Sequence, residues 1–415
     1  MKKRWLGACG GAALHTKPFI MPSIARMTLF MMLAHVALGA IMPYLPVWLA
    51  STKGLSGAQI GVILASSSFG RILVGPLAAA WAEGRRDRRI PLIVFSAALA
   101  VGYLSFPFLG VFWPIALACF ATGVMFQCLM PFAEAGVMRV TSSSRRWPYG
   151  RARAAASAAF VLANLGAGAT IQAFGVEAVY AWFIIACLAT VACAFWLLPE
   201  PIEQPVVTPL STRLRDSFAL FKRRTFFLAV LAASFIQAAH AFYYGFSSKL
   251  WLEQGFSGSE VGMLWAFGVI VEIAFFALLA SRLNHFRPET LILWGGIGSI
   301  IRWAAFAQTP DLGITFMLQA LHALTFAATH MGFMRLIEAE IPLAQRATGQ
   351  QLGSAIIMSP TMGLASIAAG SLYDQFQSGG YWSGVILATI GLILISLLLS
   401  PKQPTLKLPQ EDQIR

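Results

Sequence analysis

Four charged side chains interrupt long apolar stretches of this 415-residue chain: Arg71, Glu134, Glu272 and Arg302. A charge at the centre of a bilayer helix costs roughly 2.5–3.5 kcal/mol on insertion scales, so such residues face a cavity or pair with one another. Two carboxylates and two guanidiniums in that setting can bind a polar solute and exchange a proton. The structural alternative, ion pairs that tie helices together, stays open for all four.

Other polar residues fall into stripes. After the string YGRAR (Tyr149 to Arg153), Arg153, Ser157, Phe160 and Asn164 lie within about 60° of each other on a helical wheel. A cation, a hydroxyl, an aromatic face and an amide suit an oxygen-bearing, ring-shaped solute. Glu134 is close enough in sequence to meet Arg153 across one loop, where it would neutralise the guanidinium of an empty site. A second stripe holds Ser234, Gln237, His240, Tyr244 and Ser248. A third holds Gln319, His322, Thr325 and Thr329, with His330 at its edge. One membrane histidine is usually an interhelical hydrogen bonder; three on two helices make a proton relay an equal alternative. The five cysteines show no metal spacing, and neither metal, disulfide nor cofactor is expected beyond a coupling proton.

The elements that carry these residues are long. The chain is 58% hydrophobic and 11% charged, against about 25% charged for a soluble protein. Apolar runs of roughly 20 residues predict membrane-spanning helices rather than barrel strands. Twelve are expected, near 26–50, 58–82, 90–110, 113–138, 152–174, 177–198, 225–249, 259–281, 289–307, 312–337, 347–373 and 380–400. Of the 30 Lys and Arg, 26 then fall on one side, which predicts that this side and both termini are cytoplasmic. The net charge of +13 is dispersed over these loops without an aromatic-interleaved patch, which argues against nucleic acid as a partner. The apolar core before Cys9 is too short for a lipoprotein signal.

The chain also repeats itself. Leu55-Ser56-Gly57-Ala58-Gln59-Ile60-Gly61 matches Phe256-Ser257-Gly258-Ser259-Glu260-Val261-Gly262 at an offset of 201 residues. The same offset sets Arg71 opposite Glu272, and Glu134 opposite Arg335, with the charge reversed each time. Arg71 and Arg335 are read as structural or gating charges. Parallel repeats with intramembrane charges predict a transporter with its site between two halves. The expected organisation is a cytoplasmic extension 1–24, a six-helix bundle 25–198, a cytoplasmic linker 199–224, a second bundle 225–400 and a tail 401–415. The proline-rich linker continues into either an amphipathic surface helix or an irregular basic loop.

These features resemble the major facilitator superfamily. Pro131-x-x-Glu134 followed by YGRAR is similar to the lactose permease branch, as are the positions of Glu272, Arg302 and His322. That resemblance implies solute binding by Glu134 and Arg153 and proton coupling through Glu272, His322 and Arg302. Departures are equally plain: Thr325 stands where the branch carries its proton-bearing Glu, Phe160 replaces its stacking tryptophan, and Ala79 replaces the Asp of the loop motif. The run from Gln237 to Phe276, together with Arg71, His322 and His330, is closer to the 3-phenylpropionate permease group. It implies proton-coupled import of an aromatic carboxylate by a monomer in a bacterial inner membrane, with Tyr243, Tyr244 and Phe160 against the ring. The alternatives are a sugar or nucleoside symporter, a drug or sugar efflux antiporter, and a membrane sensor built on a transporter fold. An enzyme is not expected, because no catalytic cluster lies at a membrane face.

Overall fold

The structure, a computed structural model, describes residues 23–142, 144, 147–197, 221–340 and 357–399. The extension 1–22, nearly all of the linker, the start of the eleventh expected span and the tail lie outside the described residues. All regular structure among the described residues is helical.

The first half contains α1 (Ser23–Lys53), α2 (Gly57–Glu83), α3 (Arg89–Ser105), α4 (Phe112–Thr141), α5 (Tyr149–Phe174) and α6 (Val179–Trp196). The second half contains α7 (Arg224–Ala238), α8 (Ala241–Glu253), α9 (Gly258–Ala274), α10 (Pro288–Phe306), α11 (Leu312–Ala320), α12 (Thr329–Glu340), α13 (Ser359–Phe376) and α14 (Trp382–Leu399). Ten helical stretches among the described residues are long and apolar enough to cross a membrane. One of them, Ser359–Leu399, includes both α13 and α14, joined by a 3-10 turn at Gln377–Tyr381, and α10 is not among the ten.

Not every expected span is a simple α-helix among the described residues; the eighth departs from one at its end, in a π-helix at Phe275–Leu279. The seventh breaks between α7 and α8, at Ala239 and His240. The His240 amide bonds Gln237 O rather than Ile236 O, and the His240 ring nitrogen Nδ1 lies 3.2 Å from both carbonyls, supplying the donor that the break removes. The tenth span widens into a π-helix at Ala323–Ala328, between α11 and α12; such wide turns often mark functional sites.

Within the first half α1 packs on α4, α5 and α6, and α2 and α3 pack on α4. Within the second, α14 packs on α7 and α10, and α12 on α7 and α10. The halves meet where α2 crosses α13 and α5 crosses α9.

These crossings give the repeated string its physical meaning. Each copy is a capping box, in which Ser56 and Gln59, or Ser257 and Glu260, exchange side-chain and backbone hydrogen bonds. Each copy then supplies two glycines one turn apart to a crossing with the other half. A Cβ at Gly61 would stand 2.5 Å from Ser366 O of α13, and one at Gly262 would stand 2.6 Å from Asn164 O of α5. Only glycine permits that backbone approach.

The opposite half also caps each helix start. The Asp374 carboxylate of α13 accepts from the backbone N of Gly57 and Ala58 at 2.7 and 2.8 Å. Gln172 of α5 accepts from Ser259 N at 3.3 Å. In the loop before α3, Asp87 pairs with Arg89 at 2.7 Å, and this guanidinium holds the Asp87 carboxyl below the usual carboxylate range.

Candidate functional site

The second half builds its polar centre around one cation. Arg302 of α10 is 0% exposed. Its Nη1 donates to Thr325 Oγ1 and to His322 Nδ1, both at 3.1 Å, and its Nη2 donates to Gln319 Oε1 at 2.5 Å. The guanidinium also stacks over the rings of Tyr243 and Trp303, 4.8 and 4.6 Å from their centres. Aromatic faces and neutral acceptors together replace the water that a buried guanidinium loses.

This arrangement sets the His322 tautomer. A guanidinium can only donate, so Nδ1 accepts and Nε2 carries the hydrogen. His322 Nε2 points at the Glu272 carboxylate, 3.6 Å away. His240 continues the array through its Nε2, 3.1 Å from Thr325 Oγ1. Gln319 joins it to Tyr243 and to Leu264 O. Glu272, His322, Arg302, Thr325 and His240 therefore form one contiguous polar chain, with Thr325 inside the π-helical segment and His322 at its start.

The first half holds a second, more open cluster. Arg153 of α5 lies 3.5 Å from Glu134 of α4, and both side chains are more than a third exposed. Its Nη1 is 2.7 Å from His35 Nε2, while His35 Nδ1 is held by Met31 O at 2.8 Å. Sequence reasoning missed His35. Its signal was available, since His35 is the only charged or imidazole side chain between Arg26 and Lys53. Arg153 and His330 are electrostatic neighbours of Glu272, so the clusters of the two halves face each other.

The other expected residues have distinct placements. Phe160 and Asn164 are buried where α5 packs on α1 and α9; Asn164 Nδ2 donates to Phe160 O at 2.8 Å and Asn164 O accepts from Tyr44. Ser157 is half-buried on the same helix. Tyr244 stacks on His240, with ring centres 5.7 Å apart. Arg335 donates to the carbonyls of Leu283 and Asn284, tying α12 to the loop before α10. Arg71 is half-buried on α2 near Cys128 of α4, and makes no hydrogen bond or ion pair among the described residues. Arg71 and Glu272, opposite one another in the repeat, are not paired.

Between α1, α2 and α4 lies a cavity of about 290 Å³. Met42, Leu64, Ser68, Phe126 and Gln127 are among the residues that line it, and Tyr244 joins them from the second half. The cavity was not anticipated, because it depends on how three helices pack.

A helical fold joined through two glycine crossings, with facing charged clusters between its halves, defines a class of membrane transporter. The chain matches the MFS_1-like family model over residues 24–383 and belongs to that family of major facilitator transporters, which are not enzymes. It is 28% identical over 378 residues to the probable 3-phenylpropionic acid transporter of Escherichia coli (strain K12), covering 88% of this chain and 93% of the relative. The crystal structure of the nucleoside transporter NupG (D323A mutant) superposes with a TM-score of 0.74 at 16% identity, covering 91% of this chain and 99% of that one. The crystal structure of a D-xylose-proton symporter gives 0.67 at 16% identity, with coverage of 90% and 97%. The protein is thus a multi-pass membrane transporter acting on small molecules.

Proposed function

We propose that the protein is a proton-coupled symporter of a bacterial inner membrane that imports a small aromatic carboxylate as a monomer. Its two six-helix halves, 25–198 and 225–400, rock about a site between them. Both termini are cytoplasmic, so the end where α2 and α9 begin faces outward.

The observation that carries this reading is the Glu272 carboxylate, 3.6 Å from His322 Nε2, with the other nitrogen of that ring held by buried Arg302. A guanidinium keeps its proton at any physiological pH, so Arg302, Arg153 and Arg71 are fixed charges. Glu272 is the group among them that a proton can neutralise. His322 presents an N–H to it and can relay a proton through the array. Protonation of Glu272 frees the facing cations to balance the negative charge of an incoming acid. Loss of that proton on the inner side restores the internal pairing and releases the solute.

The aromatic acid is favoured by the rings about the site and by the name of the Escherichia coli relative. Proteoliposomes loaded with a pH-sensitive dye test the proposal. Labelled 3-phenylpropionate should enter faster with the outside acidic, and its entry should acidify the lumen. Entry with no lumenal acidification would exclude proton symport. Uptake of nucleosides or sugars in its place would overturn the substrate.

Glu272→Gln should retain exchange across the membrane and lose accumulation against a gradient. Preserved accumulation would move the proton to Glu134 or a histidine.

A further inference from the structure

The first-half cavity and a guanidinium one turn along α2 from it, unpaired among the described residues, carry an assignment of parts of the substrate to parts of the protein. An apolar cavity of about 150 Å³ admits benzene, so about 290 Å³ holds a phenyl ring with a short chain attached. Two polar groups in its wall are already engaged with backbone, and most of the other lining residues are aliphatic or aromatic. Thr122 Oγ1 donates to Ala118 O at 2.9 Å, and Gln127 Nε2 donates to Ser67 O at 3.2 Å. Such a wall suits hydrocarbon. A sugar or nucleoside, with a hydroxyl on most carbons of its ring, would bury them against a wall made mostly of hydrocarbon.

Cations near this site differ in what they have free. Arg153 is engaged by Glu134 and His35, and Arg302 is enclosed by Gln319, Thr325, His322 and three aromatic rings. Arg71 has no such partner among the described residues. It follows Ser67 and Ser68 by four and three positions, which places it on the same face of α2 one turn further along. Its Cα–Cβ bond tilts toward the start of α2, and so toward the cavity that these serines line. Cys128, its neighbour on α4, adjoins Gln127, which lines the cavity.

We propose that the cavity between α1, α2 and α4 receives the aromatic ring of the substrate and that Arg71 binds its carboxylate by the guanidinium fork. The first half then selects the solute, while the polar chain of the second half handles the proton. This inference rests on the aromatic-carboxylate reading and adds the location and the ligand.

Calorimetry on the purified full-length protein in detergent separates the two. Four proteins are titrated with 3-phenylpropionate and with the neutral 3-phenylpropan-1-ol: the unaltered chain, Arg71→Gln, Ser68→Trp and Leu73→Trp. Arg71→Gln should weaken the acid at least tenfold and leave the alcohol within twofold of its original affinity. Ser68→Trp, which fills the cavity, should abolish both, and Leu73→Trp, on an exposed position of the same helix, should preserve both. Acid affinity unchanged in Arg71→Gln removes Arg71 as the ligand, and unchanged affinity in Ser68→Trp removes the cavity. A chain that binds the acid normally in every variant overturns the inference and leaves the substrate reading standing. An unaltered chain that binds no aromatic acid overturns both. Gel-filtration elution and melting temperature identify a Ser68→Trp protein that has failed to fold; Arg71→Gln then decides alone.

Discussion

Arg153 has partners from two helices, Glu134 and His35, and its geometry depends on both. A hydrogen bond to a charged group contributes about 1.5–3 kcal/mol net. His35→Phe keeps a ring and removes Nε2, and should slow uptake about tenfold or more. His35→Gln, whose side-chain oxygen can accept from Arg153, should recover most of that rate. Equal losses in both variants would make His35 a packing residue. Some of this chemistry was legible beforehand, because a charge inside an apolar run is visible in sequence. Which groups meet was not: His35 and Arg153 are 118 positions apart. Arg71 and Glu272 were matched by the repeat, yet one is near Cys128 and the other near His322. Equivalent positions in a duplicated chain need not touch, since each copy packs against different neighbours.

At the scale of elements, the helices with clear hydropathy were readable, and their interruptions were not. No glycine or proline marks the break between α7 and α8, where His240 replaces a lost amide donor with its own ring. The π-helix at Ala323–Ala328 likewise has no proline or glycine within it. The repeated capping box is the contrary case. Ser-x-x-Gln and Ser-x-x-Glu state a helix start outright, and the glycines beside them state a close crossing. Gly61→Leu should push α2 off α13 and favour the state in which that end is open. A cysteine introduced at Ala58 should then react faster with a membrane-impermeant maleimide than it does with Gly61 intact. Unchanged labelling would show that this crossing does not govern access.

At the scale of the molecule, the two halves divide the work proposed for them: a solute cavity with open cations in the first, an enclosed polar chain in the second. The charge bias of the loops predicts which way the assembly sits. A green fluorescent fusion at Arg415 should fluoresce, and an alkaline phosphatase fusion at the same point should be inactive. The reverse result would invert the transporter in the membrane. The all-helical membrane architecture was legible because hydropathy is a linear signal, whereas the cavity exists only once α1, α2 and α4 are packed. The two cross-half caps are not equivalent. Asp374 grips the start of α2 through two short bonds to a carboxylate, and Gln172 touches the start of α9 through one longer bond to a neutral amide. Charge-assisted bonds are roughly twice as strong as neutral ones. When that end parts, the seam between α5 and α9 therefore yields first while the other acts as a hinge. In the orientation proposed above, that doorway then opens from one side, and a solute enters obliquely, past α5 and α9, rather than down the molecular axis.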